Sequence, residues 1–151
     1  MKITKGNLIE MAINGDFDLI VHGCNCFCTM GAGVAKGIKA AFPQAFEADL
    51  ATERGSKGKL GTCSFAEIPN GGAALVVVNA YTQFDWRGSG VKVDYEAVRS
   101  CMRWIKERHP GKRIGLPKIG AGLAGGDWKE IASIIEEELA GEDVTLVEYV
   151  P

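Results

Sequence analysis

The sequence predicts a layered α/β fold. Two short unbroken apolar runs, Leu19–Val21 and Leu75–Val78, read as strands covered on both faces. Segments with helical spacing alternate with them. Glycine-rich stretches sit between strand and helix at two places, around residues 31–33 and 120–126.

The elements follow in order. Met1–Lys5 is a short opening strand, and Asp18–Cys24 is the first buried strand. Helices are predicted over Val34–Ala41 and Gln44–Glu53, separated by Pro43, which interrupts the hydrogen-bond ladder. Leu60–Glu67 reads as a strand, Pro69–Gly72 as a turn, and Ala74–Ala80 as the second buried strand. Thr82–Val91 is polar and glycine-bearing, hence a loop. Asp94 is a good N-cap for a helix to about Glu107, with Tyr95, Val98, Met102 and Ile105 on one face. Arg113–Leu116 is a strand. Asp127, with Glu130 three residues on, has the capping-box pattern and opens a helix. Val144–Val150 closes the chain as a strand. The expectation is six strands and four helices, with helices on both faces of one sheet.

The 151 residues suit a single domain, 1–151, with one core. No apolar run approaches a membrane span, and the polar, basic start lacks the apolar stretch of a signal peptide. Five cysteines, three of them at Cys24, Cys26 and Cys28, make a poor disulfide framework, so reduced thiols and a cytoplasmic location are expected. The formal charge of −2 is spread along the chain, which argues against nucleic acid as a partner. A monomer without a metal or resident cofactor is expected. His22, Cys24, Cys26 and Cys28 would share one strand face. Residues in a line cannot by themselves make a tetrahedron, so ordinary buried thiols are preferred over a zinc site.

In sheets of this kind, ligands sit outside the carboxyl ends of the strands. Both glycine loops follow a strand and open a helix, and each contains Gly-Ala-Gly: Gly31-Ala32-Gly33 and Gly120-Ala121-Gly122. Glycine lets a ligand approach main-chain amides, and a helix N-terminus suits an anion. Two such loops from neighbouring strands suit the two phosphates of a diphosphate. The alternative is that the glycines only serve turns and packing. A dinucleotide-binding Rossmann unit is disfavoured, because its ribose-holding acid would be Asp49 or Glu53, and both fall in a predicted helix.

Lys5-Gly6-Asn7-Leu8, Leu19 to Cys26 with its His22-Gly23-Cys24-Asn25-Cys26 block, Met30 to Ala35, and Pro117 to Trp128 together resemble the macro domain family, in family order. The resemblance implies a three-layer α/β/α sandwich with a central mixed sheet, and binding of ADP-ribose or a derivative, free or protein-linked. The branch with ADP-ribose-1″-phosphate phosphatases is the more similar one. By resemblance, Asn7 meets the adenine amino group, where the family commonly has Asp, with Leu8 beside it. Asn25 holds the distal ribose. Gly31, Ala32, Gly33 and Val34 form the first phosphate loop. Gly120, Ala121, Gly122, Leu123 and Ala124 form the second, and Tyr149 stacks on adenine.

His22 and Asp85 are the candidate catalysts: a histidine that titrates near neutrality, and a loop carboxylate able to activate water, with Arg87 to hold a terminal phosphate. A glutamate-deconjugating branch of the family places a catalytic aspartate where this chain has Ala124. Asp127 is assigned to helix capping, and Lys92 is a remote match for that branch's lysine. The leading expectation is hydrolysis of ADP-ribose-1″-phosphate to ADP-ribose and phosphate. The alternatives are a non-catalytic ADP-ribose reader, a hydrolase acting on protein-linked ADP-ribose, and, more weakly, a nicotinamide-dinucleotide oxidoreductase.

Overall fold

A computed structural model describes residues 1–151. It shows a six-stranded sheet between two helical layers. The elements are β1 (Lys2–Gly6), α1 (Leu8–Ile13), β2 (Leu19–Cys24), α2 (Gly33–Ala41), α3 (Pro43–Leu50), β3 (Cys63–Asn70), β4 (Ala73–Tyr81), α4 (Tyr95–Arg108), β5 (Arg113–Leu116), α5 (Trp128–Glu138) and β6 (Asp143–Tyr149). The spatial order is β1-β6-β5-β2-β4-β3. Every neighbouring pair is parallel except β3 with β4, so the sheet is mixed, as the sequence resemblance implied.

The runs read as doubly covered strands lie in the middle of the sheet. Leu19, Val21, Val76 and Val78 face α4 and α5, while Ile20, Leu75 and Val77 face α1, α2 and α3. No helix is long and apolar enough to cross a membrane.

Two details differ from expectation. Helix α1 was not foreseen; at six residues it is too short to show a helical period. The turn predicted over Pro69–Gly72 is tighter. Pro69 and Asn70 belong to β3, and only Gly71 and Gly72, both at positive φ, make the hairpin loop. Proline is admissible there because β3 is an edge strand.

β5 leads through α5 to β6 on one side of the sheet, and β2 leads through α2 and α3 to β3 and β4 on the other. The chain therefore changes direction between β2 and β5. A crevice opens at such a point, outside the carboxyl ends of the two strands.

Candidate functional site

Both glycine loops open onto this crevice, one after β2 and one after β5, and those strands are paired. The loops approach closely: a Cβ built on Gly33 would lie 3.4 Å from Leu123 Cδ1. Beneath them Gly23 is wedged so tightly that its Cβ would come within 2.7 Å of Thr82 Oγ1 and 3.2 Å of Ile119 Cγ2. The ends of β2, β4 and β5 are thus knit together.

The first loop has unusual backbone. Cys28 and Met30 are the non-glycine residues at positive φ, 56° and 41°. Such conformations persist only where the surroundings impose them. Met30 is anchored in the core, and the Cys28 thiol donates to the Asp49 carbonyl at 3.2 Å. Asn25 folds into its own loop: its Oδ1 accepts from the Phe27 amide at 2.8 Å, and its Nδ2 donates to Thr29 Oγ1 at 2.8 Å. One Nδ2 hydrogen and one Oδ1 lone pair remain free for a ligand.

At the helix that follows, the amides are bare. Helices α1, α4 and α5 start with Asn7, Asp94 and Asp127, whose side chains accept from first-turn amides. Helix α2 starts with Ala32, which has no such side chain. The amides of Gly31, Ala32, Gly33, Val34 and Ala35 bond to no other main-chain group. In the second loop the same holds for Gly120, Gly122, Leu123 and Ala124. Two sets of main-chain donors therefore open on one crevice, and an anion is the natural acceptor for both.

The glycines divide in function. A Cβ on Gly120 or Gly126 would collide with Val93 at 2.6 and 2.5 Å, so these two serve packing. Gly122 has nothing within 4 Å, and Gly31 only the Thr29 carbonyl at 3.8 Å. Their open faces give a ligand room. Val34 and Leu123 leave apolar side chains exposed on either side of the crevice. Ala121 is half-buried, and Ala124 is buried with its carbonyl accepting from the Lys92 and Val93 amides.

Asn7 and Tyr149 meet at one end of the crevice, because Gly6 pairs with Tyr149. Tyr149 is exposed and free to stack. The Asn7 carboxamide oxygen is committed: it caps α1 through the Ile9 and Glu10 amides at 3.0 and 3.1 Å. The expected acceptor for an adenine amino group is thus engaged, and Nδ2 is the part left free. The Leu8 side chain points into the core.

The two candidate catalysts sit in different settings, and His22 is the enclosed one. It lies in the layer between β2 and α3 and is 1 % exposed. Its Nε2 is 2.7 Å from Asn79 Oδ1 and donates to it, since Asn79 Nδ2 is spent on the Ala45 carbonyl and Ser64 Oγ. Burial pushes its pKa down to about 4. In this structure His22 is a neutral core histidine that meets no open surface.

Asp85 does lie on an open loop. That loop is tied to the end of β2, with the Cys26 amide donating to the Phe84 carbonyl at 2.9 Å. Arg87 grips Asp85 with both Nε and Nη2, and this holds the carboxyl down to about 2. Asp85 is therefore an ionised carboxylate and a weak base. Asp127 caps α5 as expected, but through the Lys129 amide; its own amide donates to Tyr95 Oη, so the reciprocal box with Glu130 does not form.

The cysteines diverge rather than line one face, because β2 ends at Cys24. Cys24 Sγ lies 3.6 Å from His22 Nε2, Cys26 donates to the Gln83 carbonyl, and Cys28 turns to Asp49. Sequence reading also missed buried Lys59, whose Nζ donates to the Cys26 carbonyl at 3.2 Å and sits over the Tyr81 ring, bracing the first loop from below. Its residue type gave no sign of burial. An open cavity of about 540 Å³ lies behind the 82–94 segment, between Phe84 and the start of α4; of the residues singled out in the sequence, Lys92, Asp94, Tyr95 and Glu130 line it, and none of the expected catalytic or ligand-binding residues does.

With this geometry in view, comparison with known proteins is informative. The Macro domain family model matches residues 21–135. The chain belongs to the macro domain family. It is 36% identical over 156 aligned positions to the "Uncharacterized 17.5 kDa protein in tk-vs intergenic region" of Enterobacteria phage T4, covering all of this chain and 97% of that protein. It is 30% identical to the DNA ADP-ribosyl glycohydrolase of Thermus aquaticus, again along its whole length, but spans 41% of that protein. Among solved structures, the macrodomain of Thermus aquaticus DarG superposes with a TM-score of 0.70 at 27% identity, covering 99% of this chain and 97% of that one. The fold also recurs in Thermosipho africanus DarTG, solved in complex with ADP-ribose, with TM-score 0.69 and 18% identity over 92% of this chain and 39% of that one.

Proposed function

We propose that this single domain binds ADP-ribose along the carboxyl ends of its strands and hydrolyses the bond at C1″ of the distal ribose. One observation carries the reading: the strand order lays the candidate groups out in the order of the ligand. Tyr149 and Asn7 lie at β6 and β1, the second amide loop at β5, the first at β2 with Asn25, and Asp85 beyond β4. Adenine, the two phosphates, the distal ribose and its substituent fall on these groups in turn.

Departure of a C1″ substituent leaves positive charge on the ribose. Asp85, ionised at all ordinary pH, suits the stabilisation of that charge and the orientation of water better than proton abstraction. His22 is given no part. Both ADP-ribose-1″-phosphate and ADP-ribose linked to a macromolecule carry a bond at that carbon. The Thermus relative supports a linked substrate, and Arg87 suits a terminal phosphate.

Gly122→Val tests the binding mode. The new side chain has open space in the protein, so the melting temperature should hold while ADP-ribose affinity, measured by calorimetry, falls about tenfold or more. Unchanged affinity would refute the crevice as the diphosphate seat. For the chemistry, Asp85→Ala should slow product release about a hundredfold on whichever of ADP-ribose-1″-phosphate, ADP-ribosylated protein or ADP-ribosylated DNA is turned over. A second reading, binding without turnover, is favoured by Ala124 and by the Asp85–Arg87 pair. It is selected if the wild type binds ADP-ribose and releases nothing from all three.

A further inference from the structure

At Asn7 the crevice carries a donor where an adenine amino group needs an acceptor. Asn7 Oδ1 accepts from the Ile9 amide at 3.0 Å and from the Glu10 amide at 3.1 Å. Those two bonds fix which way the carboxamide points. Turned over, Nδ2 would face both amides donor to donor, and the cap of α1 would be lost. The position turned away from the helix is therefore held by Nδ2, which makes no hydrogen bond within the protein. Asn7 is only half-buried, so this nitrogen is within a ligand's reach. An amide nitrogen donates and cannot accept.

The neighbours do not supply the missing acceptor. Tyr149, level with Gly6 across the β1–β6 pair, is exposed and offers a ring face, which stacks on any purine alike. Glu148 is the adjoining carboxylate on β6. Successive strand residues point to opposite faces, and its Oε2 lies 3.7 Å from Lys118 Nζ, so it is turned from Tyr149 and paired.

We infer that Asn7 sets the base selectivity of the crevice, which prefers the diphosphate ribose of a 6-oxopurine to ADP-ribose. This rests on the proposed reading of the crevice and narrows its ligand class. Adenine and hypoxanthine share a ring system and differ at C6, where adenine carries an amino donor and hypoxanthine a keto acceptor. Asn7 Nδ2 donates to the keto oxygen, whereas against the amino group it meets a second donor. An aspartate in its place would keep the cap through one oxygen and present the other as an acceptor, suiting the amino group and repelling the keto oxygen. The identity of one atom at position 7 thus decides between the two bases.

The test is calorimetry with ADP-ribose and with inosine diphosphate ribose, its hypoxanthine counterpart, on the wild type and on Asn7→Asp. The two compounds share both riboses and the diphosphate, so the remaining crevice contacts cancel in the ratio of affinities. Wild type should bind the inosine compound about 3- to 10-fold more tightly. Asn7→Asp should reverse the order, and its melting temperature should match the wild type's, since Asp caps a helix as well as Asn does. The inference is overturned if wild type prefers ADP-ribose or binds both equally, or if the ratio is the same in Asn7→Asp. In those cases the crevice reading survives, because a ligand still binds. If neither compound binds wild type, the crevice reading falls and this inference falls with it.

Discussion

The two faces of the sheet are built on different principles. Towards α4 and α5 lies a core of 20 buried apolar residues, with the Thr82 hydroxyl at its margin beside Gly23. Towards α1, α2 and α3 the apolar core is smaller, with 15 residues, and a chain of buried polar groups runs through it. His22 bonds Asn79, Asn79 bonds Ser64 and the Ala45 carbonyl, and Ser64 bonds Tyr81. The Tyr81 hydroxyl then donates to Asp49 Oδ1 at 2.7 Å. Asp49 in turn holds Cys28, in the first glycine loop, through its carbonyl. Burial raises the Asp49 pKa, with the Tyr81 hydroxyl and the Lys59 ammonium acting against it. Apolar packing is non-directional and supplies stability, whereas hydrogen bonds fix geometry. The first face holds the fold together; the second sets α3 and the strained first loop in register with the strands.

That contrast can be broken from either side. Ile135→Ala, on the apolar face, removes a fully buried side chain and should cost about 2–5 kcal/mol in denaturant unfolding, with Cys28 and its loop undisturbed. The polar face should show itself in pH dependence. His22 has a folded pKa of about 4 against about 6.5 when exposed, so the unfolded chain takes up a proton that the folded chain refuses. Stability is then full above pH about 6.5, declines by about 3 kcal/mol as pH falls to about 4, and is flat below. The difference in slope between wild type and His22→Gln isolates this contribution; equal slopes would mean that His22 is not sealed. The smallest effect is expected at the margin of the same face. Asn7→Ala removes the α1 cap and should cost about 1 kcal/mol, which Asn7→Ser should largely restore.

What could be read in the sequence was what local pattern carries. Leu19–Val21 and Leu75–Val78 announce central strands because only a doubly covered strand tolerates such runs. Asp94 and Asp127 announce helix starts because a cap is a contact between near neighbours. Gly31-Ala32-Gly33 and Gly120-Ala121-Gly122 pointed to the crevice through their place between strand and helix. Their division of labour was hidden, since only the fold brings Val93 against Gly120 and Gly126 and leaves Gly122 open. The burial of His22 was hidden for the same reason: its partner Asn79 is 57 residues away, and nothing nearby says which layer the ring enters. Asn7 was read through family likeness as an adenine contact, while its cap on α1 went unseen because that helix was too short to notice.

The parallel pairing of β1 with β6 has a practical corollary. Lys2 is level with Thr145 and Gly6 with Tyr149, so the chain enters at the foot of the sheet and leaves at its head. A dye or surface tether fused after Pro151 would emerge beside Tyr149 and crowd the end of the crevice where we propose that adenine binds, whereas one fused before Met1 would sit about 16 Å away, a strand's length below. Sensors built on this protein are best immobilised through the amino end, with the crevice facing solution.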